Sequence, residues 1–522
     1  FINTMEQLSN EGCWIIIKSG GRVLVQSNIT IIVIFVIYLA MMLAIGLIAY
    51  KKTSNTEDYF LGGRKLGSWV VSLSAQASDM SGWMLMGLPG AAYIAGLEAG
   101  WIALGLTIGT YLNWKLVAKR LRNYTEACNA ITIPQFLGNR YRDNQNILRI
   151  VSSLFILIFF LVYTASAFVS GGKLFSTVFG IDYTLALLIC AVVVVSYTFA
   201  GGFFAVCWTD LVQGILMFVA IVVVPCAAVV SMGGVDATIA RIESVNVNML
   251  NPFITLDGTH IAMITVISSL AWGLGYFGQP HILVRFMGID DAKSIKKSRL
   301  IAMVWVVFSL TASTMVGLLG RVFLTEDLSN SSGETVYILM VMKIFPLVIA
   351  GVFLAAILAA VMSTADSQLL VTASAITEDF YKAKIRPHAS DKELMIVSRL
   401  TVMGVSIIAI LIALNPNNTV LGLVENAWAG FGATFGPIML FSLFYKKTSR
   451  NGAIAGIVTG GLVAIIWRNL GNMYGGIFSL YEIVPGFILS AIAIYLVSKF
   501  GQEPSQEIQD EFEKVRELNR NC

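Results

Sequence analysis

The sequence predicts an all-α integral membrane protein of about thirteen transmembrane helices, and three observations predict it. Hydrophobic residues make up 57% of the 522 and charged residues 13%, whereas a soluble chain is typically about 45–50% apolar and about 25% charged. A bilayer crossing needs roughly 20 predominantly apolar residues, and thirteen such runs occur, centred on 30–50, 68–95, 99–118, 150–174, 183–200, 211–232, 260–280, 300–320, 347–375, 396–414, 419–445, 452–467 and 481–498. Lys and Arg alternate with these runs: 28 of the 35 fall on segments of one side, 51–67, 115–149, 200–208, 281–300, 379–399, 446–450 and the end from 499. That asymmetry predicts a cytoplasmic side for those segments, an N-terminus outside and a C-terminus inside.

Residues 1–28 are set apart as an N-terminal extension. The run Trp14–Ile17 is too brief for a span or a secretory apolar region, and Met5 or a later residue is a candidate start. Residues 29–500 form the transmembrane domain, and 501–522 a cytoplasmic tail, expected to be a solvated helical or disordered end.

Several function classes are excluded early. Cys13, Cys128, Cys190, Cys207, Cys226 and Cys522 show no paired spacing, and His260, His281 and His388 form no local metal motif. A net charge of +4 without a dense basic stripe leaves no footprint for nucleic acid. No cofactor, obligate protein partner or catalytic constellation is expected; the lipid bilayer is the evident surrounding.

The second span carries Asp79 among apolar flanks, with Ser74, Ser78 and Ser81 beside it and Gly82, Gly87, Pro89 and Gly90 following. A carboxylate at that depth is by default a functional candidate. The glycines and proline predict an interrupted helix, tolerated only where protein covers it or water reaches it. Freed carbonyls beside a carboxylate and hydroxyls make a hard-oxygen site for a small cation; the alternative is a hydrogen-bonded cluster that glues helices together. In the seventh span, Gly273 to Gly278 match GxGxxG without a preceding strand, so the dinucleotide reading fails. With Trp272, Tyr276 and Pro280 the run predicts a second broken helix, although aromatic residues there can be packing alone. Two breaks, each heading five spans, point to an inverted-repeat transporter. In the ninth span, Ala360, Ser363, Thr364 and Ser367 share a face by helical spacing and can complete an oxygen cage; back-bonding of the hydroxyls to their own helix is the alternative. Asp366 falls on another face. Asp210, near the start of the sixth span, reads first as a helix cap.

The stretches Asp58–Arg64, Ser78–Trp83 with Gly87–Gly90, Trp272–His281, Ala359–Leu370 and Ala427–Gly432 resemble the sodium/solute symporter family over roughly residues 30 to 500. The resemblance implies a LeuT-like five-plus-five inverted repeat with one helix before it and two after. It implies sodium-coupled symport of L-proline across the plasma (inner) membrane by alternating access. The same machine carrying another small amino acid or a carboxylate is the alternative, and a solute receptor or a membrane enzyme would be a different class. By the resemblance, sodium is the coupling ion and the only metal, held by carbonyls of Ala77, Met80 and Ala360 and hydroxyls of Ser363 and Thr364, with Asp79 beside them. The substrate region is implied at Ser81, Gly82, Trp83, Tyr163, Trp272, Tyr276 and Pro280. Arg64 matches a coupling position and Asp210 one that some relatives use for a further cation. Ser367 stands where close relatives can carry cysteine, a departure that should leave the cage intact.

Overall fold

A computed structural model describes residues 17–19, 22–24, 29–50, 60–198, 202–328 and 330–521. Most of the N-terminal extension, and Asp58 and Tyr59 of the first motif, lie outside these residues. Apart from a short antiparallel hairpin, Ile17–Ser19 with Arg22–Leu24, and two isolated bridges, the described residues are helices and their connections. Within the described residues each of the apolar runs overlaps one or more helices. Among the described residues ten helical stretches are long and apolar enough to cross a membrane, and Tyr183–Ser196 and Met263–Gly278 are shorter apolar helices.

Both expected breaks are present, but their local causes differ from the glycine-based expectation. The helix Ser68–Asp79 leaves helical geometry at Met80 (φ −85°, ψ 77°) and resumes as a π-helical turn, Trp83–Gly87, that leads into Leu88–Ala95. The second break runs from the 3-10 turn Trp272–Gly278 through extended Gln279 to Pro280–Gly288, where proline occupies the first turn and needs no N–H partner. None of Gly82, Gly273, Gly275 and Gly278 has a positive φ. Their role is close approach: a Cβ on Gly275 would sit 1.9 Å from Trp428 Nε1, and one on Gly273 2.3 Å from the carbonyl of Gly105. Small residues at such crossings let membrane helices pack backbone to backbone.

Packing repeats across the two halves. The Ser68–Asp79 half-helix lies on Phe203–Ser231, and the Trp272–Gly278 turn lies on Val420–Phe444. Helix Ile147–Phe179 packs on Val420–Phe444, as Leu347–Ser374 packs on Phe203–Ser231. The half-helix Leu88–Ala95 meets Ile295–Phe323, as Pro280–Gly288 meets Lys119–Ala127. Ile147–Phe179 and Leu347–Ser374 also pack on each other at the centre. The two broken segments are joined by a bridge between Leu66 and Ile289, with Leu66 N–H donating to Gly288 O at 3.3 Å and Asp290 N–H to Leu66 O at 3.0 Å.

Two sequence expectations need correction. Segment 281–300, read as a loop, begins with the buried helix Pro280–Gly288, so Arg285 is fully buried and not a solvated loop charge. The tail is helical, Gln506–Asn521, but not simply solvated: Ile508, Phe512 and Val515 recur on one face and are buried against the body of the protein.

Candidate functional site

In a continuing helix the carbonyl of Ala77 would accept from the N–H of residue 81. At the break, Ser81 N–H turns to Asp79 O at 3.0 Å. The carbonyl of Ala77 is left to accept from Ser363 Oγ at 2.8 Å and Thr364 Oγ1 at 3.5 Å, across to the helix Leu347–Ser374. Ser363 Oγ also lies 3.3 Å from Ala360 O. Ala77, Ala360, Ser363 and Thr364 therefore form one junction of oxygens, and Met80 belongs to the same break. The hydroxyls do not only back-bond, since both reach the opposite half of the fold. Ser367 shares the face of Ser363 but takes a different partner: its hydroxyl accepts from Arg285 Nη2. Among the described residues no group of three His, Cys, Asp or Glu side chains could hold a metal ion. The junction's chemistry is that of neutral carbonyls and hydroxyls, which suits a hard cation of low charge.

Asp79 organises the aromatic side of the break. Its Oδ2 accepts from Tyr276 OH at 2.7 Å, and its main-chain carbonyl accepts from Tyr163 OH at 3.1 Å and Trp83 Nε1 at 3.0 Å. Three residues from three separate spans converge on this one residue. Ser81 Oγ accepts from the N–H of Trp83 at 3.4 Å. Gly82 faces Ser170 so closely that a Cβ would sit 2.2 Å from its hydroxyl. Trp272 lies farther out: its carbonyl accepts from Trp428 Nε1 at 2.7 Å, its ring stacks on Tyr481 at 5.5 Å, and Trp428 stands edge-on to Tyr276 at 5.0 Å. Pro280 is buried at the start of the second half-helix.

Sequence reasoning did not assign Trp428, Gln279 or His281 to this site. Gln279 Nε2 donates to Trp428 O at 3.3 Å, and the His281 ring lies 5.9 Å from Tyr163. Asp79 Oδ1, Gln279 Oε1 and both His281 nitrogens are buried without a hydrogen-bond partner. These atoms give the centre free hydrogen-bonding capacity for a polar solute. Trp428, Gln279 and His281 all lie within stretches that carry the resemblance, Ala427–Gly432 for Trp428 and Trp272–His281 for Gln279 and His281.

Two buried ion pairs flank the centre. Towards Leu66 and Ile289, Arg285 Nη2 meets Asp210 Oδ2 at 3.2 Å, Arg285 Nε donates to Ser74 Oγ at 3.1 Å, and Ser74 Oγ donates to Asp210 Oδ2 at 2.6 Å. Ser367 links this cluster to Asp366, whose Oδ1 accepts at 3.4 Å. Asp210 is thus not a helix cap; its helix begins at Phe203, two turns earlier, after Gly202. Arg64 lies outside the centre, with Nη1 donating to Met287 O at 2.9 Å and Nη2 to Ala130 O at 2.7 Å, so it ties the ends of both broken segments. At the other end, Lys173 Nζ meets Glu334 Oε2 at 2.6 Å, and the Glu334 carboxylate accepts from the N–H groups of Val420 and Leu421, each at 3.0 Å. A carboxylate on the first N–H groups of a helix satisfies donors that the helix cannot and complements its dipole.

A model of the sodium:solute symporter family matches residues 59–460. The high-affinity proline transporter PutP of Bacillus subtilis (strain 168) is 50% identical over 473 residues, spanning 90% of this chain and 98% of that protein. The sodium/proline symporter of Escherichia coli (strain K12) is 47% identical over 487 residues, 92% of this chain and 95% of that one. Among solved structures, a Na+-coupled sialic acid symporter in a substrate-bound outward-open state superposes with a TM-score of 0.75 at 20% identity, covering 91% and 99% of the two chains. That likeness establishes the fold, a LeuT-like repeat in agreement with the mirrored packing above. The family consists of multi-pass membrane transporters and not enzymes. With the match over most of its length, the chain belongs to the sodium:solute symporter family.

Proposed function

We propose that this chain carries L-proline into the cell together with sodium, by alternating access in the plasma membrane, with its N-terminus outside and its C-terminus in the cytoplasm. The observation that carries the reading is the diverted Ala77 carbonyl, reached by the Ser363 and Thr364 hydroxyls across the two halves of the repeat. In this reading sodium takes its oxygens from Ala77, Met80, Ala360, Ser363 and Thr364, while Asp79 supplies negative charge beside them. An ion there ties the first break to the helix Leu347–Ser374 and orders the unwound segment. Ordering it once for sodium removes part of the entropic cost of binding the substrate, and the coupling is reciprocal.

Proline is a compact zwitterion with an apolar ring. Its carboxylate suits the N–H groups at Ser81, Gly82 and Trp83, where the half-helix beyond the break presents its positive end. Tyr163, Trp272 and Tyr276 give apolar faces to the ring and polar edges to the amine. The unpartnered oxygens of Asp79 and Gln279 support a cationic amine nearby. Pro280 sets the second half-helix beside it. One sodium is assigned, because Asp210 already has the guanidinium of Arg285. About 100 mV acting on one charge supplies roughly 2.3 kcal/mol, and a tenfold sodium gradient adds about 1.4 kcal/mol, together enough for roughly 500-fold accumulation.

The relatives named for proline support that substrate over another small amino acid or carboxylate. Competition of radiolabelled L-proline uptake in proteoliposomes by a panel of solutes tests the choice. Inhibition by proline and its close ring analogues is expected; stronger competition by an unrelated amino acid or a carboxylate moves the substrate assignment and leaves the sodium site standing.

A further inference from the structure

A cleft of about 580 Å³ opens between the tail helix Gln506–Asn521 and the ends of two spans. Its cations are Arg120, Lys446, Lys447, Arg516 and Arg520, and among the described residues no carboxylate lines it. Glu513 pairs with Lys446 at 3.4 Å and with Arg516 at 3.2 Å, and Glu503 pairs with Lys447 at 3.0 Å. Two described carboxylates thus pair with the five lining cations, an excess of positive charge that repels itself unless an anion joins it.

The surroundings fix the depth of the cleft. Phe444, in its wall, is exposed, and the Arg120 guanidinium lies 4.3 Å from the centre of its ring. Next to it Tyr445 meets Tyr495, and Lys499 spans Tyr495 and Phe500, the latter 79% exposed. Aromatic rings and basic side chains on the last turns of membrane helices mark the headgroup level of the bilayer. A soluble anion would require no apolar approach, whereas here the exposed ring of Phe444 continues from the basic cleft along the membrane-facing surface.

We propose that this cleft binds the phosphate headgroup of an anionic phospholipid, whose acyl chains run along the Phe444 side, and that the lipid clamps the tail helix to the helices Lys119–Ala127 and Val420–Phe444. Nothing in this depends on which substrate the transporter carries.

The test uses the full chain in phosphatidylcholine vesicles with a minor fraction of spin-labelled phosphatidylglycerol, or of spin-labelled phosphatidylcholine as control, and reads the motionally restricted lipid. Preferential retention of phosphatidylglycerol is expected, and the double variant Lys447→Gln/Arg520→Gln lowers that preference by about 25-fold, since each basic residue near an anionic surface contributes roughly fivefold. The charge-preserving Lys447→Arg/Arg520→Lys retains it, which separates loss of charge from loss of fold, and Arg516→Gln alone gives an intermediate value. Equal retention of the two lipids by the parent protein overturns the proposal, as does a preference that the neutral variants leave unchanged. Millimolar inorganic phosphate is expected to leave the retained lipid in place; quantitative displacement would assign the cleft to soluble phosphate and overturn the lipid assignment.

Discussion

At the scale of single residues, one carbonyl, that of Ala77, and one carboxylate, that of Asp79, organise the first break. Asp79 and Ser363 were legible in the sequence because polar groups are scarce in such spans, and a buried one stands out. What was not legible is the direction in which each reaches: Ser363 and Ser367 sit on one helical face, yet one hydroxyl goes to Ala77 and the other to Arg285. Only the positions of the facing helices decide that. Asp79→Asn is expected to raise the sodium concentration for half-maximal proline uptake by about tenfold, or to abolish uptake, since about 1.4 kcal/mol of lost electrostatic support is a factor of ten; sodium titrations of initial rates check this. Tyr276→Phe removes the donor to Asp79 Oδ2 and leaves the ring contact with Trp428. It is expected to weaken proline binding with little change in expression. Gly275→Ala forces a methyl group into the indole of Trp428 and is expected to lose most uptake, measured at matched protein levels.

At the scale of elements, the breaks and the helix runs were readable, but the contacts that close each end were not. Arg285 falls in the basic segment 281–300, which reads as a loop, and Glu334 falls between two of the apolar runs. Each is buried, and each joins elements far apart in the chain. Removing one member of a buried pair leaves the other uncompensated and costs about 3–5 kcal/mol. Glu334 also accepts from the first N–H groups of the helix Val420–Phe444, so Glu334→Ala is expected to lower the unfolding temperature more than Lys173→Met does. Thermal unfolding in detergent compares them, and equal losses would refute the capping role. The tail helix offers a different check. Burial pushes the Cys128 thiol up to about 12, with the Glu511 carboxylate of the tail adding to the rise. A thiol whose pKa is raised is mostly protonated, and so unreactive, at neutral pH. Deleting the chain beyond Gln502 is expected to speed maleimide labelling of Cys128 at pH 7.5, and labelling of the full chain should quicken as pH rises.

At the scale of the whole molecule, composition and the distribution of Lys and Arg gave a multi-pass membrane protein, and two broken spans gave the repeat. The mirrored packing of the two halves supplies what a sequence cannot, since a pattern of apolar runs is the same whichever helices touch. That packing puts the first break against the helix Leu347–Ser374, and so makes an ion at the Ala77–Ser363 junction a tie between the halves. The central proposal is that sodium acts at this junction to control proline binding. The direct measurement is binding of radiolabelled L-proline to the purified protein as sodium is varied, comparing the parent chain with Ser363→Ala/Thr364→Ala and with Asp366→Asn. The account predicts that the double variant needs about tenfold or more sodium for half-maximal binding, given roughly 1.4 kcal/mol lost per decade, while Asp366→Asn shifts it far less. A sodium dependence left unchanged by Ser363→Ala/Thr364→Ala would contradict it.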